Sequence, residues 1–319
     1  MLSSALALVM MVAAPKYRVT DLHIEPPTED GVFLNDRGMV AGNVHGVDQP
    51  PFFWKAGRLT PLQGVVQVYG LNVRGQLAVT TAEGTGIWEE GKPFRKWPEP
   101  KPDGSFHAYQ YRPGGIDDAG NLALFGGTPG SEGGSSRMLT WPKGESVPDN
   151  FVPIAVAPDG AILAMGSLGP WGSGRLDFGL LLYRNGKGQA IRKPGSGMES
   201  LAIARGGWVC GAYSPPEPAR RHPLLWHEGR FIELPLAPGM EEGIAIAVNE
   251  RGEAVGETGH GPALWKAGTV HNLQDLLPAD AGYRFVTARA INGRSQILAE
   301  AEPNAKPFPR TLLLLTPQR

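Results

Sequence analysis

The chain has 319 residues, 19% of them charged, and a formal net charge of -1, so it carries no basic excess for a phosphate backbone and generic nucleic-acid binding is disfavoured. Its 44 glycines and 30 prolines are about twice the usual share, and with 41% hydrophobic residues and eight tryptophans they exclude a disordered chain and favour short strands joined by tight turns around a sizeable core. The single cysteine, Cys210, excludes an internal disulfide and any cysteine-based zinc site.

The chain opens on an uncharged apolar run, residues 2–14 (LSSALALVMMVAA), too short to span a bilayer but suited to the hydrophobic part of a secretory signal. No Lys or Arg precedes it and Pro15 follows the small-residue site, so residues 1–14 are read as a signal segment of irregular pattern. Residues 17–22 (YRVTDL) then form a short alternating strand that belongs to no turn of its own.

From there one turn signature recurs seven times without gaps: LNDRGMVAG at 34–42, LNVRGQLAV at 71–79, IDDAGNLAL at 116–124, VAPDGAILA at 156–164, IARGGWVCG at 203–211, VNERGEAVG at 248–256 and INGRSQILA at 291–299. The spacing between neighbouring copies runs from 37 to 47 residues. Asn or Asp satisfies turn backbone through its side chain and Gly accepts positive φ, while apolar residues two apart afterwards mark a half-buried strand, so each copy predicts a hairpin. Cys210 falls on the outgoing strand of the fifth hairpin and is expected to be buried there.

A second signature, an aromatic residue three positions before glycine, follows the first six turns at Trp54, Trp88, Trp141, Tyr183, Trp226 and Trp265. A short strand follows each of these glycines, which makes every unit a four-stranded meander, strands a to d, at a propeller-like period. The residue two before the Asn/Asp position is Phe33, Gly70, Gly115, Ala155, Ala202, Ala247 and Ala290, small in six of seven, as crowding of innermost strands around a channel requires. The seventh unit ends after strand c (310–315), and residues 17–22 supply its missing strand d. The prediction is therefore an all-β, seven-bladed β-propeller of four-stranded antiparallel blades, one domain over residues 15–319, closed by an N-terminal strand that completes the last blade and removes an exposed edge.

Strand d, the IN..G hairpin and the a.lW..G strand together resemble the HAF repeat of bacterial extracellular repeat proteins, most clearly in YRVTDL, VNERGEAVG and PALWKAG (262–268). The resemblance covers nearly the whole chain from Tyr17 and implies a propeller and export, without implying an activity. The sequence departs from the pattern at Tyr183, in place of Trp, and at Ser295, in place of Gly.

Turns a–b and c–d have fixed length and share one end of the ring, because adjacent strands are antiparallel. The other end holds the variable connections, with long b–c segments at 125–137, 165–178 and 212–223 in three consecutive blades and a long d–a segment at 99–112 beside them. Tyr109, Trp171, Arg175, Tyr213, Arg220, Arg221 and His222 stand in that sector, with His107 and Tyr111, and flat aromatics and guanidinium forks suit sugars, peptides or acidic groups. They are the candidate ligand-binding residues, weighed against packing as lids. The recurrent Trp residues are read as blade packing.

No nucleophile elbow, P-loop, dinucleotide fingerprint or metal-ligand spacing of the seven His occurs, so no catalytic residue, cofactor or metal is assigned. The expectation is an exported, monomeric, non-catalytic binding propeller with a glycan or protein partner, neither nucleic-acid-binding nor membrane-spanning. The alternatives are a hydrolase or lyase using acidic or imidazole groups at the channel mouth, such as Asp48, Glu83, Glu132, Asp177, Glu217 and His260, or a structural module of a cell-envelope assembly.

Overall fold

The turn chemistry read from the sequence fixes each hairpin. In the first a–b turn the Asn35 amide donates to the Met39 carbonyl and the Gly38 amide to the Asn35 carbonyl, while the Asn35 carboxamide oxygen accepts from the amides of Arg37 and Met39, both at 3.0 Å. Gly38 takes φ 75°, a conformation open to glycine at little cost. Ser295 takes φ 54° in the seventh copy, so serine occupies the left-handed region there without changing the turn. The fifth copy differs: Arg205–Gly207 is a single 3-10 turn with positive φ at both Gly206 and Gly207. Four of the c–d turns are two-residue hairpins with positive φ at both central positions, Ala56-Gly57, Asn185-Gly186, Glu228-Gly229 and Ala267-Gly268, the type I′ geometry that matches strand twist. In blade 2 the connection lengthens to 90–94, with positive φ at Gly91 but not at Glu90, so the c–d turns do not keep the fixed length expected of them.

A computed structural model describes residues 16–26, 31–44, 49–98, 110–127, 137–141, 146–147, 151–167, 178–193, 197–259, 261–278, 280–305 and 309–318. Among the described residues the strands form seven four-stranded antiparallel sheets. Blade 1 comprises Val32–Leu34, Val40–Gly42, Phe52–Lys55 and Arg58–Pro61; blade 2 Val65–Leu71, Gln76–Thr81, Gly84–Glu89 and Arg95–Lys96. Blade 3 comprises Gln110–Ile116, Leu122–Gly127, Arg137–Trp141 and Ser146–Val147; blade 4 Phe151–Val156, Ile162–Ser167, Phe178–Arg184 and Lys187–Ile191. Blade 5 comprises Gly197–Ile203, Val209–Ser214, His222–His227 and Arg230–Glu233; blade 6 Gly243–Val248, Ala254–Thr258, Gly261–Lys266 and Thr269–Asn272. Blade 7 is Tyr283–Ile291, Ile297–Pro303 and Thr311–Pro317, completed by Tyr17–Asp21. Tyr17 pairs with Pro317 and Asp21 with Leu313, so the N-terminal strand is the outer edge of the last blade and closes the ring as expected.

Seven apolar clusters, one per junction between neighbouring blades, make up the core. Alternation along each strand supplies them: Val40, Phe52 and Trp54 face blade 7, with Leu298, Leu312 and Leu314, whereas Ala41 and Phe53 face blade 2, with Leu77 and Val79. Both faces of a middle strand are covered, which is why strands b and c read as nearly unbroken apolar runs. Cys210 is fully buried at the junction of blades 5 and 6, and burial pushes its thiol up to about 12.

The a strands of successive blades touch one another all the way round. In six of them the ladder slips by one residue just before the small residue, at Gly70, Gly115, Ala155, Ala202, Ala247 and Ala290, whereas the short blade 1 ladder with Phe33 is regular. The bulge bends the inner strand toward the next blade, and the small side chain lets it approach. A β-carbon on Gly70 would lie 3.1 Å from the Ile116 amide nitrogen and one on Gly115 2.8 Å from a Val156 methyl.

Candidate functional site

The variable end carries three distinct features among the described residues. At blade 5, Tyr213 near the end of strand b and His222 at the start of strand c are cross-strand partners. Their rings stack at 5.2 Å between centroids with planes 28° apart. Lys193, just past the last strand of blade 4, places its ammonium 3.5 Å from the Tyr213 ring centroid and 6.0 Å from that of Phe231, and pairs with Glu233. Burial and a hydrogen bond to Glu233 raise the Tyr213 phenol above its ordinary value, and the Lys193 ammonium leads the contacts that hold Glu233 below the usual carboxylate range. The cluster therefore offers a half-buried aromatic pair, a cation and an anion in one patch, chemistry for recognition through stacking and polar contacts.

Of the sequence-predicted residues, Tyr213 and His222 come together, and they stand on strands where a loop was expected: strand b runs to Ser214 and strand c starts at His222, which shortens the connection to 215–221. Arg220 pairs with Glu241 at the start of blade 6, and the Arg221 carbonyl accepts from the Gly243 amide at 2.8 Å while its side chain stays exposed. Tyr109, Trp171 and Arg175 lie outside the described residues, as does His107. For the enzymatic alternative, Asp48, Glu132, Asp177 and His260 also lie outside them. Glu83 is exposed in the b–c turn of blade 2 and Glu217 exposed beyond strand b of blade 5, on different blades.

Blade 7 holds a second feature that the sequence reading missed. Glu300 and Glu302 are buried on strand b, at 2% and 4% exposure. Arg289 from strand a donates to Glu300 at 2.6 Å, Arg310 beside strand c donates to Glu302 at 3.1 Å, and Arg284 also pairs with Glu302. Three guanidiniums thus serve two carboxylates, the arrangement of a buried ion network, in which loss of one partner leaves a buried charge in a low dielectric. The alternation in ILAEAE, with two acids where only blade 6 places one, Glu257 at the position of Glu300, was the available signal. Beside the network, Asp21, His23, Glu25, Pro303, Arg310 and Thr311 line an open depression of about 530 Å³ at the closure seam. Burial pushes the Asp21 carboxyl up, but hydrogen bonds from Thr311, the His23 amide and Tyr283 outweigh it and hold the carboxyl below its ordinary value.

The third feature is a depression of about 450 Å³ on blade 6, with Pro238, Met240, Val270 and Leu276 among its walls and His271 and Asp275 at its rim. Among the described residues no group of three or more His, Cys, Asp or Glu could hold a metal ion, and no helix is long and apolar enough to cross a membrane.

No protein-family model matches the chain, and no curated protein matches it in sequence. Among solved structures it is similar to the β-propeller domain of the Trilobed protease from Pyrococcus furiosus, with 10% identity, 94% of each chain covered and a TM-score of 0.53. That domain is described as having an open velcro topology, whereas here Tyr17–Asp21 pairs with the C-terminal strand. It is also similar to the hydrazine synthase of Kuenenia stuttgartiensis, with 13% identity, 91% of this chain and 97% of that chain covered and a TM-score of 0.49. A gluconolactonase from Xanthomonas campestris aligns at 12% identity over 96% of this chain and 92% of that chain, with a TM-score of 0.45. At such identities the likeness is one of fold.

Proposed function

We propose that this protein is a non-catalytic binding propeller, exported and monomeric, that recognises a glycan or protein ligand through the variable end of blades 3 to 5. One observation carries the reading: Tyr213, His222, Phe231 and Glu233 from three strands of blade 5 converge with Lys193 from the neighbouring blade on a single, partly exposed patch. A rigid ring presents it, and the two preceding blades carry long b–c connections in sequence. The apolar segment at residues 2–14 supports export.

A glycan array and a pull-down with secreted protein, repeated with Tyr213→Ala, Trp171→Ala and Arg221→Ala, test this reading. Loss of binding by tenfold or more (about 1.4 kcal/mol or more) with a nearly unchanged Tm supports it. Retained binding in all three variants would move the ligand off this sector, and a large fall in Tm would make these side chains lids.

A further inference from the structure

The end of the ring that carries the short turns holds a separate surface. We propose that an arc of arginines on the a–b turns, Arg294, Arg37 and Arg74 with Arg251 at its end, binds an anionic polysaccharide, independently of any ligand at the variable end.

All four arginines are exposed, and all occupy the same position, two residues after the Asn that opens the turn, in the four consecutive blades 6, 7, 1 and 2. The turn does not require arginine there. Blades 3 and 4 place Ala119 and Asp159 at that position and close the turn with the same pair of backbone bonds, Gly120 to Asp117 and Gly160 to Ala157 among them.

Their spacing is fixed by the residues beneath. The side-chain amide of each turn Asn donates to the backbone carbonyl of the corresponding residue in the next blade: Asn249 to Asn292 at 3.0 Å, Asn292 to Asn35 at 2.8 Å, Asn35 to Asn72 at 2.7 Å and Asn72 to Asp117 at 3.0 Å. These asparagines are buried, so the turns are locked together as one rim around the channel mouth and the guanidiniums above them are presented in a set order.

One of the four charges is cancelled by an ion pair, and Arg74 lies near enough to Glu89 to help lower its carboxyl, but three guanidiniums keep free of salt bridges among the described residues. Arg251 is committed to Glu253, Ser295 and the Gly293 carbonyl, but among the described residues Arg37, Arg74 and Arg294 have no salt-bridge partner. The acids beside them turn sideways: the Asp36 carboxylate accepts from the Gly293 amide at 2.7 Å, and Glu250 lies against Gly293, where an added β-carbon would meet its carboxylate oxygen at 2.1 Å.

The chemistry selects the partner. Guanidinium forks match carboxylate and sulfate oxygens in pairs, and repeated forks along an arc suit repeated anions along a chain. None of the exposed large hydrophobic residues, Leu59, Val66, Val152, Met165 and Ile232, stands in an a–b turn, so the rim lacks the apolar anchors by which grooves hold peptides. A net charge of -1 means that any retention on a polyanion must come from such a local cluster.

Heparin affinity chromatography of the full chain, with binding measured against NaCl concentration, tests the proposal. The wild type should be retained, and Arg37→Ala/Arg294→Ala should lower the salt slope by about one for each arginine removed and elute early. Arg58→Ala/Arg230→Ala, which removes the same charge from exposed outer strands, should elute with the wild type. Flow-through of the wild type, or an equal shift in both double variants, would overturn the proposal. So would tighter binding to polyglutamate or duplex DNA than to heparin, which would assign the rim to another class of partner.

Discussion

Blades 6, 7, 1 and 2 are joined to their next neighbours by the asparagine amides, whereas the junctions 3 to 4, 4 to 5 and 5 to 6 have no such link. The difference lies in single residues. In each of the four asparagines the oxygen accepts two amides of its own turn and the nitrogen reaches the next blade; in three the nitrogen also donates to the side chain four residues on, Gln76, Glu253 or Gln296, which completes the set. In blade 3 the roles are exchanged, with Asp117 at the opening position accepting from the amide and side chain of Asn121, and a carboxylate cannot donate onward. Blades 4 and 5 have Ala157 and Ala204 there. Their turns are tied instead by charge: Asp159 accepts from the Gly206 amide at 2.9 Å and pairs with Arg184, and Asp118 pairs with Arg205.

The belted arc is the one that contains the seam. Within blade 7 the two chain ends meet without a covalent connection, through the ladder of Tyr17–Asp21 against Thr311–Pro317 and the packing of Tyr17, Leu22 and Ile24 in apolar clusters with Leu312 to Leu315. Opposite the seam every blade is one continuous stretch of chain, and its junctions combine apolar packing with single hydrogen bonds, such as the Asp118 amide to the Pro158 carbonyl at 2.9 Å and the Gly206 amide to Asp159, and a few surface ion pairs, the last each worth little in water. The comparison predicts that damage to the belted arc costs more than damage opposite it.

The largest effect should follow from opening the seam. Removing residues 1–21 takes away an entire strand with its fully buried Tyr17 and exposes the edge of Thr311–Pro317. The expected outcome is loss of the cooperative thermal transition or a Tm drop beyond that of any single substitution below; an unchanged Tm would sever the link between closure and stability. Next comes Asn292→Ala, which leaves the Asn35 carbonyl with the Gly38 amide but without its inter-blade donor, strips two turn amides of their partner and should cost about 2–3 kcal/mol in urea unfolding. A cost no greater than that of Asp159→Ala would erase the distinction between the two arcs.

A smaller effect comes from Glu253, buried at the junction of blades 6 and 7. Burial pushes its carboxyl up, but hydrogen bonds from Arg251, Ser295, Lys266 and Asn249 outweigh it and bring it from 4.5 to about 2. A carboxyl held lower in the folded than in the unfolded chain stabilises fully above about 4.5, and that contribution is lost as the pH falls toward 2. Stability should therefore decline across that window, and Glu253→Gln should flatten the decline while lowering stability at neutral pH. A parallel decline in the variant would assign acid sensitivity to other carboxylates.

Much of this was legible in the sequence, and the limits are physical. The seven-fold turn signature, the small residues of strand a and the spare strand at 17–22 are local patterns, and they fixed blade number and closure. The bulges at those small residues were not readable, because a slip of register is a relation between two strands. Asn35, Asn72, Asn249 and Asn292 read as residues that satisfy their own turns, and they do; their second use needs the ring to exist, since each partner lies 37 to 45 residues on or, for Asn292, 257 residues back. Glu300 and Glu302 fit a strand exposed on one face until strands a and c brought arginines over them. At the candidate site the sequence pattern places Tyr213 and His222 in a loop, because their pairing depends on how far strands b and c extend, while Lys193 comes from another blade and leaves no sequence signal.

The smallest effect tests the comparison from its other side, by building the missing link. The blade 4 turn already has the belted geometry, with the Ala157 amide bonded to the Ala161 carbonyl at 2.8 Å and the Gly160 amide to the Ala157 carbonyl at 2.9 Å, against 3.1 and 2.9 Å in blade 1. Ala157→Asn would place a carboxamide where its oxygen meets the amides of Asp159 and Ala161 and its nitrogen faces the Ala204 carbonyl of blade 5. A carbonyl can accept twice, as that of Asn72 does from Gly75 and Asn35. Against the gain stands crowding, because Ala157 and Ala161 are both fully buried and three extra heavy atoms must be fitted. A net gain of about 1 kcal/mol is expected, with slower amide exchange in the blade 5 turn. Ala157→Leu, of similar bulk but without the hydrogen bonds, should destabilise. If both variants destabilise alike, packing rather than hydrogen bonding distinguishes the two arcs, and the asparagines of the other four blades are then secondary to the side chains beneath them.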